Sequence, residues 1–225
     1  MEEAWKLFRK TAYSSLYSYP RFTWQTVIPD QRRISKIDLS DDYLQAIRLY
    51  ASCADELKNS ELYRNDLIEF VSYYVAAKAE IFYKQALKDD SENRVLAAQR
   101  NLQQTVDLLM DVDRLLASHP LYRLEEWVEL ARNSGTTLQE KDAYEANAKR
   151  LITSWGGIQE DYAARFWSGL IKDYYIPRIQ LYFTKDRDKI REWEEQWITS
   201  PWSNSTTPFD DPVKAALNLI EKTNK

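Results

Sequence analysis

Apolar side chains recur at helical spacing along most of this chain. Trp5, Phe8, Ala12 and Leu16 mark a first helix over residues 2–17. The pattern dissolves from Ser18 to Leu39, a stretch holding Pro20, Pro29, Arg32, Arg33 and Lys36. It reads as a long irregular connection, a kind of segment that is uncommon in compact domains and often functional. Periodicity returns at Ser40, which can cap a helix carrying Tyr43, Leu44, Ile47, Tyr50 and Leu57 and ending near Lys58. A longer helix follows over Leu62 to Leu87, and a third, opened by Ser91, over Glu92 to Ala117.

Local signals define the remaining elements. Pro120 fits the first turn of a short helix through Trp127 and Leu130 that stops before Gly135. Thr137 with Glu140 three residues on is a capping box for a helix over 138–154, ended by Gly156 and Gly157. A helix from Gln159 to Tyr175 then meets Pro177, which kinks or breaks it. Arg187 to Trp197 forms another, and Asp211 with Pro212 caps and opens a last one through Ile220. Helices of such unequal length, with no recurring signature at 33–47 residues, predict an all-α fold, an irregular antiparallel multi-helix bundle in a single domain over 1–225.

Composition agrees and narrows the chemistry. Four glycines in 225 residues are far fewer than the roughly 7% of average usage, and β-turns draw on glycine heavily. The 31 basic and 35 acidic residues are spread along the chain, with no basic stripe for nucleic acid. No apolar run approaches a membrane span, and the charged start MEEAWKLFRK does not read as a signal peptide. One cysteine, Cys53, and one histidine, His119, leave no zinc set, and no metal or cofactor is expected. Cys53 reads as a buried structural thiol.

No self-contained catalytic constellation is visible. Neighbouring acids such as Asp111 with Asp113, or Glu194 with Glu195, do not face each other on a helix and read as solvated faces. The stretch 150–179 differs in kind, because it holds three of the four glycines and two of the eight tryptophans. A helix-ending Gly156-Gly157 presents Trp155 at a helix end, where Asp161 and Tyr162 could converge on it. An indole face, a carboxylate and a phenol are the groups that hold a sugar ring. The competing structural reading makes these core aromatics with polar tips and an Asp favoured by a helix dipole. Gly169 inside a helix implies close approach of another backbone, and Arg178 past Pro177 would tie a helix end to a neighbour.

The run Trp155-Gly156, Asp161-Tyr162-Ala163, Gly169-Leu170 and Tyr174-Tyr175-x-Pro177-Arg178 resembles the C-terminal helical domain of the α-N-acetylglucosaminidases, glycoside hydrolase family 89. Tyr63-Arg64-x-Asp66-Leu67, Tyr73-Tyr74 and Ala4-Trp5-x-Leu7 with Tyr13 extend the likeness over nearly the whole chain, most strongly over 144–183. The resemblance implies a retaining exo-hydrolase of terminal α-linked N-acetylglucosamine, with two catalytic glutamates on a (β/α)-barrel that precedes this domain. Residues 1–39 would lead from that barrel, no catalytic residue would lie in this chain, and the chain alone would be inert. It further implies that the helical domain packs beside the barrel's active-site mouth and completes the pocket. Trp155 and Tyr162 would line that pocket with Asp161 beside them, while Gly156, Gly157, Gly169, Pro177 and Arg178 play structural parts. The partners implied are the barrel of the same polypeptide and the terminal N-acetylglucosamine of a glycan, in a secreted, periplasmic or lysosomal parent. Here Gly157-Ile158-Gln159-Glu160 is shorter than the family's usual proline-containing loop. Two other readings remain open from the residues alone: a free-standing helical interaction scaffold and an autonomous carbohydrate-binding module.

Overall fold

One long helix, Glu61–Ser91, is buried around most of its circumference, with Leu67, Ile68, Phe70, Val71, Tyr74, Val75, Ala76 and Ala77 all in the core. A helix apolar on so many sides must be wrapped by others, and the chain wraps it. The computed structural model describes residues 1–13, 22–26, 41–155, 163–184, 186, 188–203 and 205–224. In chain order the α-helices are α1 (Glu2–Lys10), α2 (Asp41–Ala51), α3 (Ala54–Leu57), α4 (Glu61–Ser91), α5 (Val95–Leu116), α6 (Leu124–Asn133), α7 (Leu138–Leu151), α8 (Ile176–Phe183), α9 (Lys189–Thr199) and α10 (Pro212–Lys222). Among the described residues, a 3₁₀ turn (Thr23–Gln25) and a π-helical turn (Ile171–Tyr175) complete the helical structure, and no strand occurs. None of these helices is long and apolar enough to cross a membrane.

Helices α4 and α5 form the central hairpin, α1 and α2 pack at one flank, and α10 lies across the hairpin. Helices α6 and α7 form a second hairpin, joined to the rest through α9. At the first flank Phe8 stacks on Phe70 at 4.0 Å and Tyr50 on Tyr63 at 4.9 Å, with Trp5 edge-on to Phe8, Tyr50 and Phe70. These rings bury large apolar areas and fix their mutual angles, so they join α1, α2 and α4 in one orientation.

Local chemistry explains where helices stop. Ser60 Oγ accepts the Tyr63 amide and caps α4. That helix closes on Asn93 at φ 59°, with Asn93 N donating to Asp90 O and Arg94 N to Asp89 O, the paired bonds of a left-handed cap. Ser91 therefore ends α4, and α5 starts at Val95, later than the expected opening at Ser91. The helix expected from Ser40 to Lys58 is broken: Ser52 Oγ bonds back to Leu49 O, α2 stops at Ala51, and α3 is a separate turn. Ser40 itself, and residues 14–17 of the first expected helix, lie outside the described residues. Cys53 is half-buried, not buried, with Sγ donating to Leu49 O at 3.6 Å.

Pro120 does not open α6. The chain makes a tight turn there, in which buried, neutral-leaning His119 accepts the Leu121 amide on Nδ1, and α6 begins only at Leu124. Burial pushes the His119 imidazole down, consistent with an accepting nitrogen. The capping box of α7 is present as expected, with Thr137 Oγ1 accepting Glu140 N and Glu140 accepting Thr137 N. Asp211 likewise caps α10 by accepting Lys214 N, with Pro212 in the first turn. The stretch expected to connect irregularly over 18–39 has a different character where it is described. Phe22 and Trp24 are wholly buried and the turn between them is a core element, not a surface loop.

Glu140 also accepts from the Thr136 amide and hydroxyl, and these bonds hold its carboxyl down to about 2. A depressed carboxylate contributes stability above its unfolded value of about 4.5 and loses it as pH falls toward 2. Thr137→Ala is expected to lower unfolding stability by about 1 kcal/mol. Glu140→Gln is expected to be destabilised at neutral pH and to converge with the parent chain as pH approaches 2, read by urea unfolding across that range.

Candidate functional site

Helix α7 unwinds at Leu151, before the two glycines expected to end it. Ile152 N donates to Lys149 O, Thr153 N to Arg150 O and Trp155 N to Arg150 O at 3.0 Å, so the backbone turns away from the axis with Trp155 at the tip. Trp155 is 48% exposed. The other seven tryptophans are buried or half-buried, so this indole alone is left on the surface. The base of its turn is firm: Thr153 Oγ1 donates to Lys149 O, and the buried Lys149 ammonium reaches Glu145 at 3.1 Å, Ser200 O at 2.5 Å and the Trp197 face at 4.9 Å. Burial pushes the Lys149 ammonium down, with the Glu145 carboxylate opposing. Gly156, Gly157, Asp161 and Tyr162 lie outside the described residues.

The chain is described again from Ala163, and not as the helix expected over 159–175. Residues 163–169 precede the helix, with Trp167 O and Gly169 O accepting its first amides from Ile171 and Asp173; Ser168 N donates to Tyr122 O and Leu124 N to Ser168 O, forming a short parallel bridge with Arg123. Gly169 is not inside a helix. It adopts φ +82°, and a side chain there would press within 3.2 Å of both Leu124 Cβ and Trp202 Cζ2. Helical structure resumes only beyond it, and Pro177 does not break that run. The wider π-helical turn just before α8 makes room where the proline ring would meet the preceding carbonyl.

Two buried anchors fix this segment. Asp113, on α5 and fully buried, accepts Gly169 N at 2.8 Å and Lys172 N at 3.1 Å on one oxygen, and the Thr206 hydroxyl at 2.6 Å and the Ser168 hydroxyl at 3.4 Å on the other. Burial pushes its carboxyl up, while the Thr206, Lys172 and Gly169 donors pull against that. Arg178, 1% exposed, donates from Nη1 to Glu194 at 3.0 Å and to Tyr174 Oη at 3.1 Å, and from Nη2 to Gln25 O at 2.8 Å. Tyr174 Oη in turn donates to Glu194 at 2.7 Å. Trp167, twelve residues beyond Trp155, is half-buried against Trp127 at 6.0 Å.

The acids read as solvated faces are therefore split by the structure, with Asp113 and Glu194 as its internal acceptors. A signal for them was present. Glu194 sits four residues from Ile190 and from Ile198, and Asp113 four from Leu109, so each carboxylate lies on its helix's apolar stripe. Glu80 and Glu145 act in the same way: Glu80 receives the Thr23 amide at 2.9 Å and its hydroxyl, and Glu145 receives Trp202 N at 2.5 Å and Arg132 at 2.6 Å. These acids are committed to internal donors, which leaves them unsuited to moving a substrate proton. No group of three or more His, Cys, Asp or Glu among the described residues could hold a metal ion. What the arrangement offers is a shaped, rigidly backed surface with an indole on it.

Asp113→Asn keeps an oxygen for both amides and can donate to the two hydroxyls, so it is expected to cost about 1 kcal/mol. Asp113→Leu strands two buried amides and is expected to cost about 3 kcal/mol or more by the same unfolding measurement. Gly169→Ala, strained by its left-handed backbone and crowded by Leu124 and Trp202, is expected to cost about 2 kcal/mol.

Known proteins resemble the chain over almost its whole length. Residues 1–222 match the family model described as the alpha-N-acetylglucosaminidase (NAGLU) C-terminal domain. The alpha-N-acetylglucosaminidase of Homo sapiens is 29% identical over 154 residues, covering 67% of this chain and 21% of that protein. A family 89 glycoside hydrolase from Clostridium perfringens in complex with PUGNAc superposes with a TM-score of 0.80 at 22% identity, over 97% of this chain and 29% of its own. The Clostridium perfringens family 89 enzyme with 2-acetamido-1,2-dideoxynojirmycin gives 0.81 at 21% identity and the same coverage, which establishes a shared fold. The chain spans less than a third of the length of each of these relatives. By its match over residues 1–222, the chain belongs to the family of alpha-N-acetylglucosaminidase C-terminal domains, the all-helical part of the family 89 glycoside hydrolases.

Proposed function

We propose that this chain serves a retaining exo-α-N-acetylglucosaminidase as its helical accessory domain, completing the active-site pocket of a catalytic (β/α)-barrel in the same polypeptide. Residues 1–39 would lead from that barrel. The observation that carries this reading is Trp155, the single exposed indole of eight, held at the end of α7 on an anchored turn. Trp155 is about half open to solvent, and a sugar's C–H face can stack on the exposed part of an indole. Tyr162 and, beside it, Asp161 follow seven and six residues later in sequence and supply a phenol and a carboxylate for the sugar's hydroxyls. Retaining hydrolysis needs two carboxyl groups about 5–5.5 Å apart across one sugar. The buried acids Asp113 and Glu194 serve internal donors instead, so the reading assigns both catalytic glutamates to the barrel. A similar structure holds the Clostridium perfringens enzyme with its substrate GlcNAc-alpha-1,4-galactose, which supports a terminal α-linked N-acetylglucosamine as the ligand class here.

The 225-residue chain by itself is expected to hydrolyse no α-N-acetylglucosaminide and to show no tryptophan fluorescence change on titration with N-acetylglucosamine. Joined to a family 89 barrel, Trp155→Ala is expected to lower kcat/KM about tenfold or more, the loss of roughly 1.4 kcal/mol of transition-state stabilisation. An unchanged kcat/KM would remove Trp155 from the pocket. Millimolar or tighter sugar binding by the chain alone would make it a carbohydrate-binding module instead.

A further inference from the structure

The last carbonyls of a helix have no partner inside it, and at the end of α7 three in a row find partners outside it. Trp127 Nε1, on α6, donates to Ala148 O at 2.9 Å. Ile152 N and the Thr153 hydroxyl donate to Lys149 O, and Thr153 N and Trp155 N donate to Arg150 O. The turn that carries Trp155 is therefore bonded to the final turn of α7, and whatever places that final turn places the indole. Two ion pairs leave it. The Arg150–Glu195 pair to α9 has side chains 38% and 57% exposed, and an ion pair so open to water holds little. The Lys149 side chain is 1% exposed, and its ammonium donates to Glu145 and to Ser200 O while lying over the Trp197 ring at 4.9 Å. Glu145 in turn accepts Trp202 N, so both members of this buried pair grip the chain just past α9. Burial disfavours the Lys149 charge, and an apolar side chain in place of a buried ion pair is often no less stable. What the ammonium adds is direction, because a carboxylate, a carbonyl and a ring face together define one position for the end of α7.

We propose that Lys149 and Thr153 are positioning residues for Trp155. The Lys149 ammonium sets the end of α7 against Trp197 and Ser200, and the Thr153 hydroxyl, bonded to the Lys149 carbonyl, passes that position to the turn on which the indole stands. Trp155 N is bonded to the carbonyl of the residue next to Lys149, so a displacement of Lys149 reaches the indole through the backbone alone. The functional consequence rests on the pocket reading given above, while the geometric part stands on these bonds. A misplacement of about 1 Å removes much of the value of an oriented contact, so an indole released from this anchor would stack less well on a sugar.

The test uses Lys149→Met, which keeps a long stem and removes the charge, and Thr153→Val, which keeps the shape and removes the hydroxyl. In the 225-residue chain labelled with 5-fluorotryptophan, the resonances of Trp155, Trp197 and Trp5 are assigned by replacing each with Phe. Lys149→Met is expected to shift or broaden Trp155 and Trp197 and to leave Trp5, on α1, in place. Thr153→Val, the milder change to the core, is expected to move Trp155, and Thr153→Ser, which keeps the hydroxyl, to leave it. Glu195→Gln, which breaks only the exposed pair, should leave Trp155 in place as well. In the barrel-joined polypeptide Lys149→Met and Thr153→Val are each expected to lower kcat/KM about three- to tenfold, and to lower it no further when Trp155 is already Ala. A purely structural part would give the same loss in both backgrounds. An unmoved Trp155 resonance in Thr153→Val and in folded Lys149→Met, or equal losses with and without Trp155, overturns the proposal. If the Trp155 resonance moves while Trp155→Ala leaves kcat/KM unchanged, the positioning stands and the pocket reading fails. If Trp155→Ala impairs the enzyme and these two variants do not, the positioning fails alone.

Discussion

A carboxylate taken out of water must be given donors, and this fold uses that requirement to hold its irregular segments. Asp113, Glu80, Glu145 and Glu194 all stand on the buried faces of regular helices. Asp113, Glu80 and Glu145 receive backbone amides or hydroxyls from the irregular segments around 169, 23 and 202, while Glu194 receives the buried Arg178 guanidinium from α8. A buried charge without such donors would cost several kcal/mol, so departure of the segment is opposed by more than the loss of one bond. The helices supply rigidity and the carboxylates transfer it to the turns around 23, 169 and 202.

That arrangement explains how an all-helical scaffold can present a defined surface. Trp155 stands just past the end of α7, whose last turn is fastened by the Lys149 ammonium to Ser200 O. On the far side of the candidate loop, the chain is fixed at Arg165 by Gln25 and Tyr175, and at Phe166, Ser168 and Gly169 by contacts to α4, the start of α6 and α5. The loop is thus bracketed by two points set by different helices.

Much of the fold was legible in sequence because helix ends carry local chemistry. Thr137 with Glu140 and Asp211 with Pro212 were readable as caps and form as caps. Misreadings fall where a distant partner decides. Gly169 looks like a helix interior from its neighbours, yet its left-handed backbone is set by Asp113, 56 residues earlier. The turn at 22–26 falls in a stretch that reads as a long irregular connection, yet Glu80 and Arg178 hold it in the core. The internal acids were misjudged by pairing them with adjacent acids; their place on the stripes Ile190–Glu194–Ile198 and Leu109–Asp113–Leu116 was the informative comparison. Their partners could not be read locally, since Arg178 and Glu194 are on separate helices and Thr206 is 93 residues from Asp113.

The most direct test of this account is native-state hydrogen exchange at the amides of Thr23, Gly169 and Trp202, which donate to Glu80, Asp113 and Glu145. Segments pinned by buried carboxylates should open only with the core, so these three amides should exchange with free energies close to those of Leu67 and Leu109 in the central hairpin. Exchange at the rate of unstructured peptide, with the hairpin still protected, would show that the turns move independently and would contradict the account.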